Sequence, residues 1–182
     1  MVRAVKKVHR GDDGYTDIFG LRLPKDSPII ELIGELDELV SLIGVVKSIL
    51  KENSAFLDIV NNLTAIQRKL MYIASYVASK GDSRVGPPIT YDDVAALEKA
   101  IDILWSAQTM SRFTIPGSSK ESALLHLLRA VCRRVERRAV TLLRNGAIDP
   151  LIHVFLNRLS DWLYVSALYI NKVMNIEEDY LH

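Results

Sequence analysis

The stretch from Leu128 to Val140 constrains the fold more than any other, because it places charge inside an apolar helical pattern. Five arginines and one glutamate lie within it. At about 100° per residue, one side of this helix is apolar. That stripe consists of Leu124, Leu128, Val131, Val135, Ala139 and Leu142. A helix that needed only solubility would keep its charges opposite the core, so we expect some of these arginines to meet partners other than water.

The arginines of this helix differ in their position relative to the apolar stripe. Arg133 and Arg137 lie one turn apart, off the stripe. Arg138 falls on the same arc as Val131 and Leu142, and we therefore interpret it as a buried structural arginine.

Apolar residues at spacings of three and four predict helices along most of the chain after residue 27. No β-hairpin signal is evident. The sequence predicts an all-α fold, a single domain over residues 1–182 in which a five-helix bundle at 28–175 follows a non-helical N-terminal arm at 1–27. The predicted helices run from Ile29 to about Lys51, from about Ala55 to Ser79, from a Thr90 cap through Leu104, from a Ser118 cap to Asn145, and onward from Asp149.

Several residue pairs have the spacing of helix ends. Thr90 and Asp93 have capping-box spacing, as do Ser118 and Glu121. Asp149 is followed by Pro150, a pair typical of a helix start. The last helix then carries Asn157 and Asp161 one turn apart on a second, largely apolar face. Buried polar groups need partners, and the arginine helix is the nearest candidate in sequence.

Charge and composition narrow the class of protein. The chain has 23 Lys and Arg against 22 Asp and Glu, a balance that argues against a general nucleic-acid binder. No apolar run reaches the roughly 18 residues needed to span a bilayer. The single cysteine, Cys132, fits a small core residue and a reducing compartment. We expect a cytoplasmic protein with neither membrane nor nucleic acid as partner.

The arginines suggest an anion site. Arginine donates two parallel hydrogen bonds and keeps its charge, which suits phosphate. Arg133 and Arg137 could bind a nucleotide triphosphate if the Gly11–Gly14 turn supplied backbone N–H groups and Lys25 a point charge. The structural alternative is that the arginines hold a bundle or an oligomer together. Their partners would then be Asp37, Glu38, Glu136 and Asp161.

Six segments carry a resemblance to a known family. The chain resembles the PduO-type ATP:cob(I)alamin adenosyltransferases, and the matching segments occur in family order over about residues 8 to 170. They are Gly11-Asp-Asp-Gly-Tyr-Thr16, Pro24-Lys-Asp-Ser-Pro28, Gly34-Glu-Leu-Asp-Glu-Leu39, Phe113-Thr-Ile-Pro-Gly117, Arg133-Arg-Val-Glu-Arg-Arg138 and Phe155-Leu-Asn-Arg-Leu-Ser-Asp-Trp-Leu163.

The resemblance implies a homotrimer of five-helix bundles with active sites between subunits. ATP would bind between the arm of one subunit and the arginine helix of another, with Mg²⁺ held mainly by the phosphates. Cob(I)alamin would attack the 5′ carbon of ATP, giving adenosylcobalamin and triphosphate. A reductase and a cobalamin-dependent enzyme are the further partners that such a reaction implies.

The resemblance also implies roles for individual residues. Asp37 would pair with Arg133 between subunits, Arg137 would contact phosphate, and Phe113 would lie against the corrin and displace the lower cobalt ligand. Asn157 would contact the nucleotide and its Mg²⁺. The remaining nucleotide-binding residues would be His9, Arg10, Gly11, Asp12, Gly14, Thr16, Asp17, Lys25, Arg134 and Glu136.

Some positions depart from the family pattern, among them Val8, His9, Asp17 and Val40. Val8 cannot donate a side-chain hydrogen bond. This leaves an alternative function, a non-catalytic helical oligomeric binding module that uses its arginine face for an anionic partner.

Overall fold

The computed structural model describes residues 11–82, 87–106 and 113–181, so the expectations for Val8, His9 and Arg10 lie outside the described residues. The predicted five-helix bundle with a non-helical arm is confirmed within them. The helices are α1 (Pro28–Leu50), α2 (Leu57–Ala78), α3 (Tyr91–Trp105), α4 (Lys120–Arg144) and α5 (Pro150–Val173). The strands are β1 (Tyr15–Ile18), β2 (Leu21–Pro24), β3 (Thr114–Ile115) and β4 (Asp179–Tyr180).

The arginine helix α4 is central to the packing. It packs along both α5 and α1, while α2 packs on α1 and α3 packs on α5. The apolar residues predicted for its stripe line one continuous core with the other helices. Trp162 and Phe155 of α5 are among the largest fully buried side chains of that core. Cys132 is also buried, as predicted, and its thiol donates to the carbonyl oxygen of Leu156 at 3.4 Å.

Most helix ends form as their sequences predict. Thr90 and Asp93 make both hydrogen bonds of a capping box at the start of α3, and the Asp149 carboxylate accepts from the backbone N–H of Leu151. The prediction for α4 is wrong by one residue. Ser119, not Ser118, is the N-cap, because the Ser119 hydroxyl accepts from the backbone N–H of Ser122.

The arm contains a β-hairpin, which corrects the expectation that none would form. Strands β1 and β2 pair antiparallel, with Ile18 opposite Leu21. Phe19 and Gly20 connect them, both with positive φ (46° and 79°). Two such residues make the tight turn whose twist matches paired strands. Positive φ is uncommon for a residue as bulky as phenylalanine, so this turn lacks its usual sequence signal.

A second antiparallel pair joins the segment before α4 to the segment after α5. Thr114 lies opposite Tyr180, and Ile115 lies opposite Asp179. This pairing ties residues near the C-terminus to the segment that begins at Phe113. None of the helices in the described residues is long and apolar enough to cross a membrane.

Candidate functional site

The structure divides the five arginines between Leu128 and Val140 into two rows. One row faces α1: the guanidinium of Arg134 donates to the carboxylates of Glu35, at 2.6 Å, and Glu38. Hydrogen bonds to these carboxylates, Glu35 first, raise the pKa of Arg134 above its usual range. One turn further along, Arg138 lies 3.0 Å from Glu31. Arg138 is therefore not the buried residue that the periodicity suggested, because its side chain is 54 % exposed and its partner lies on α1.

The other row consists of Arg129, Arg133 and Arg137, which follow one another at four-residue spacing and so lie on one face. Arg137 is exposed and forms no ion pair with any residue the structure describes. Arg133 lies 3.9 Å from Glu136, beyond hydrogen-bonding distance. None of these three arginines forms an ion pair with a described residue of α1, and the guanidinium of Arg137 is left available for a ligand.

A cavity of about 320 Å³ opens beside this row, between α4, α5 and the segment at Phe113. Phe113 is 81 % exposed. The lining residues are Phe113, Thr114, Pro116, His126, Arg129, Arg133, Ser160, Asp161 and Tyr164. The structure therefore brings together two residues predicted for the site from distant parts of the sequence, Phe113 and Arg133.

Three of the residues lining this cavity were missed by the sequence prediction. His126 is only 4 % exposed, and neither ring nitrogen hydrogen-bonds to another described residue. Its ring meets Tyr164 edge-on at 5.8 Å between centroids, and Arg129 lies 5.8 Å from the centroid of the same Tyr164 ring. Burial lowers the pKa of His126 to about 4, and the positive charge of Arg129 acts in the same direction. The four-residue spacing of Arg129 from Arg133 was a signal that could have identified it.

The expected partnership of Asn157 and Asp161 with the arginine helix is not formed among the described residues of one chain. Asp161 lines the cavity together with Arg133, although its ion pair is with Arg158 at 3.7 Å. Asn157 is half-buried, and its side chain makes no hydrogen bond with another described residue. Glu136 lies 3.9 Å from a ring nitrogen of His153.

The arm brings the predicted glycine turn and lysine together. Gly11 has φ +99°, and a Cβ there would lie 2.7 Å from the carbonyl oxygen of Tyr15 and 3.2 Å from Lys25 Cε. The backbone N–H of Lys25 donates to the carbonyl oxygen of Gly14 at 2.9 Å. Thr16 follows within β1 and is half-buried. Within one chain, no hydrogen bond or ion pair links Lys25 or the Gly11 turn to the described arginines of α4.

The acidic residues of the arm have different environments. Asp12 is exposed. Asp13 and Asp17 both accept hydrogen bonds from Arg22 of β2, at 3.3 Å for Asp17. The hydrogen bond from Arg22 lowers the pKa of Asp13. The hydrogen bond between Asp17 and Arg22 therefore helps to stabilise the hairpin.

Asp37 is exposed on α1 and forms no ion pair with another described residue of its own chain. At about 100° per residue its side chain lies nearly opposite Glu35 and about a quarter turn from Glu38 around the helix. Gly34 is exposed one turn before it, and a Cβ there would meet nothing within 4 Å. The proposed pairing of Asp37 with Arg133 is therefore absent within one chain and would require a second copy.

The arrangement of a helical bundle, a glycine turn and an arginine row is that of a known class of enzyme. The chain belongs to the cobalamin adenosyltransferase family, whose sequence model matches residues 7–170. It is 36% identical over 162 residues to a corrinoid adenosyltransferase of Bacillus subtilis, across 88% of this chain and 83% of that protein. It is also 36% identical over 167 residues to the corrinoid adenosyltransferase MMAB of Mus musculus, across 87% of this chain and 69% of that protein.

Solved structures show the same fold. A variant of the PduO-type ATP:corrinoid adenosyltransferase from Lactobacillus reuteri, complexed with cobalamin and ATP, superposes with a TM-score of 0.87 at 30% identity. The match covers 96% of this chain and 98% of that one. A second variant from the same organism, complexed with ATP, gives a TM-score of 0.88 at 30% identity over 96% and 99% of the two chains.

Proposed function

We propose that this chain transfers the 5′-deoxyadenosyl group of ATP to cob(I)alamin, giving adenosylcobalamin and triphosphate. The observation that carries the proposal is the arginine row of α4 beside the cavity at Phe113, in which Arg137 has no ion pair with a described residue, in a chain of this family. In the reaction, cobalt supplies an electron pair and bonds to C5′. The C5′–O bond breaks, and its electrons leave with the triphosphate.

The triphosphate is assigned to Arg133, Arg137 and the arm. Fixed positive charge at the departing group lowers the barrier because it stabilises charge where it develops. Arg137 suits this role best, since no carboxylate of the described chain competes for its guanidinium. The Gly11 turn and Lys25 would contribute backbone N–H donors and one more positive charge. Arg134 is assigned mainly to holding α1, because two carboxylates already occupy its guanidinium.

Mg²⁺ fits a site at Asn157 that the nucleotide completes. The carbonyl oxygen of the amide is the hard ligand that Mg²⁺ takes, and the ion usually binds phosphate with few protein ligands. Among the described residues there is no cluster of three or more His, Cys, Asp or Glu that could hold a metal ion. When bound, the cation would neutralise charge on the triphosphate.

The corrin is assigned to the cavity that Phe113 borders. An exposed phenylalanine beside a cavity offers an apolar surface to a large planar ligand, and Phe113 is 81 % exposed. Against the lower face of the corrin, Phe113 would exclude the lower ligand. Cobalt without that donor is easier to reduce to cob(I)alamin.

The homotrimer is part of the proposal, because one chain leaves its site incomplete. Asp37 and the described part of the arm, from Gly11 onward, form no hydrogen bond or ion pair with the arginine row within a chain, and both would gain such contacts from a neighbour. Gly34 supports this, since glycine inside a helix costs about 1 kcal/mol against alanine and a Cβ at this position would meet no described atom within 4 Å. A reductase, a cobalamin-dependent enzyme and a cytoplasmic location are expected with this activity.

The test is an anaerobic assay with ATP, Mg²⁺ and reduced cobalamin, followed by the spectrum of adenosylcobalamin. Arg137→Ala is expected to abolish turnover and leave helical circular dichroism intact. Arg144→Ala, an exposed arginine of the same helix, is the matched control and should retain turnover. Absence of product from the unmodified protein at saturating substrates would refute the activity. Survival of turnover in Arg137→Ala would mean that the wrong arginine was assigned.

ATP alone separates this proposal from the non-catalytic module. A ligand that binds the folded state raises apparent stability. We expect ATP with Mg²⁺ to raise the Tm of the unmodified protein and of Arg144→Ala, and to leave that of Arg137→Ala almost unchanged. No shift in any of them would favour the module.

A further inference from the structure

The segment carrying Phe113 lies outside the helices and needs support from elsewhere in the chain. That support comes from residues 176–181, which we name the C-terminal strap. The backbone N–H of Leu181 donates to the carbonyl oxygen of Phe113 at 2.9 Å. Strands β3 and β4 pair next to this contact. The backbone N–H of Asp179 also donates to the hydroxyl of Ser118 at 3.2 Å. The strap is therefore hydrogen-bonded to both ends of this segment.

Asn171 fixes the strap to the bundle. Its side chain is completely buried near the end of α5. Its amide oxygen accepts from the hydroxyl of Ser119 at 2.5 Å, and its amide nitrogen donates to the carboxylate of Glu178 at 2.9 Å. One buried side chain thus joins the first residue before α4, the end of α5 and the strap.

The path of the strap is also set by backbone geometry. The chain turns back immediately after α5 at Asn175, which has φ 56°. The backbone N–H of Ile176 then donates to the carbonyl oxygen of Asn171 at 2.9 Å. Partial burial raises the pKa of Glu178, while the hydrogen bond that its carboxylate accepts from Asn171 acts in the opposite direction.

We propose that Asn171 and Glu178 are positioning residues for Phe113, acting through the strap. The inference rests on the proposed function, because it assigns the strap to the step in which Phe113 excludes the lower ligand of cobalt. The ring of Phe113 can exclude a ligand of cobalt only if the backbone that carries the ring stays in place. A surface segment without packing of its own gains that rigidity from bonded neighbours.

Glu178→Ala tests the proposal, with Glu177→Ala as the matched control. Glu177 is the exposed neighbour in the same strap, whereas Glu178 is half-buried. We expect Glu178→Ala to raise hydrogen exchange in a peptide covering residues 113–118 and to leave exchange in α2 unchanged. This readout needs neither cobalamin nor activity. Exchange in the control should equal that of the unmodified protein.

The second readout uses cob(II)alamin with ATP bound. Glu178→Ala should lower the fraction of bound cob(II)alamin that has lost its lower ligand, seen in the absorption spectrum. It should also lower kcat about fivefold to tenfold while the KM for ATP stays the same, as expected when an interaction realised at the reacting centre is loosened. Glu178→Gln, which can still accept from Asn171, should restore most of kcat.

A double-mutant cycle with Phe113→Ala identifies the route. If the strap acts through Phe113, adding Glu178→Ala to Phe113→Ala changes kcat no further. Additive losses, or equal behaviour of Glu178→Ala and Glu177→Ala, would overturn the inference. A different outcome is faster hydrogen exchange at 113–118 in Glu178→Ala while the unmodified protein makes no adenosylcobalamin. That outcome would refute the proposed function, but it would support the contact between the strap and the segment at Phe113.

Discussion

Nε of Arg134 lies 2.6 Å from a carboxylate oxygen of Glu35, and this ion pair joins the middle of α4 to α1. Arg138 and Glu31 repeat the relationship one turn away at 3.0 Å. These pairs explain why some arginines of α4 lie close to its apolar face. Two of its arginines form ion pairs with a neighbouring helix. Arg133 and Arg137 lie on another face, where no described carboxylate of α1 pairs with them.

The first prediction follows from this division. Arg134→Ala should lower the free energy of unfolding by about 1 kcal/mol, because partly exposed ion pairs contribute a few tenths to one kcal/mol each. Arg137→Ala should leave it unchanged. Urea unfolding followed by circular dichroism measures both. Equal destabilisation by the two variants would contradict the division into a structural row and a ligand row.

ATP binding gives the same pair of variants an independent comparison. The ATP-induced rise in Tm should persist in Arg134→Ala and be lost in Arg137→Ala. If Arg134→Ala also loses the shift, Arg134 contacts the nucleotide, as the resemblance implied, and its ion pairs with Glu35 and Glu38 would be replaced or shared when ATP binds.

The helices could be predicted from sequence because their apolar residues recur at the spacing that one buried face requires. The Thr90–Asp93 capping box was visible for the same reason, since both partners lie within one turn. Glu38 was among the partners expected for the arginines and does contact Arg134, but Glu35 and Glu31 were not predicted. They lie about a hundred residues away on α1, and which carboxylates face α4 is decided by how the two helices pack.

The hairpin and the strap were missed for a different physical reason. The turn at Phe19 and Gly20 has a bulky residue with positive φ at its first position, where Asn, Asp or Gly is usual, so only Gly20 marks the turn. Strands of two residues, as in β3 and β4, carry no alternation long enough to detect. The resemblance supplied Phe113 as a site residue, but the contact that holds its segment required the three-dimensional structure.

A second prediction concerns the glycine turn of the arm. Gly11→Ala should weaken ATP binding, because its Cβ would lie 2.7 Å from the carbonyl oxygen of Tyr15 and displace the turn from Lys25. Gly20→Ala is the control: φ there is also positive, at 79°, but a Cβ meets nothing within 4 Å. Titration calorimetry with ATP should show weaker binding for the first variant than for the second. Equal affinities would mean that strain alone, and not the contact with Lys25, governs the arm.

A third prediction concerns assembly at α1. Gly34→Ala should stabilise an isolated chain by up to about 1 kcal/mol, since alanine favours helix and the Cβ meets no atom of the same chain. If a neighbouring subunit packs at this position, the added methyl group should weaken the trimer and lower turnover. Analytical ultracentrifugation across a concentration series measures the stability of the trimer. Asn61→Ala, at an exposed position of α2, should change neither quantity. An unaltered trimer in Gly34→Ala would place the interface elsewhere.

The buried imidazole at the cavity makes the last prediction, a pH dependence of stability. Burial, with the charge of Arg129, lowers the pKa of His126 from 6.5 to about 4, while Tyr164, Arg133 and Asp161 line the same cavity. Between these values the unfolded chain binds a proton that the folded chain excludes, so His126 favours folding above pH 6.5 and this contribution falls as pH drops towards 4. The full loss is roughly 3 kcal/mol. His126→Phe should remove the slope between pH 6.5 and 5, where few carboxylates titrate, in urea unfolding at successive pH values. A slope equal to that of the unmodified protein would show that His126 is protonated within the fold.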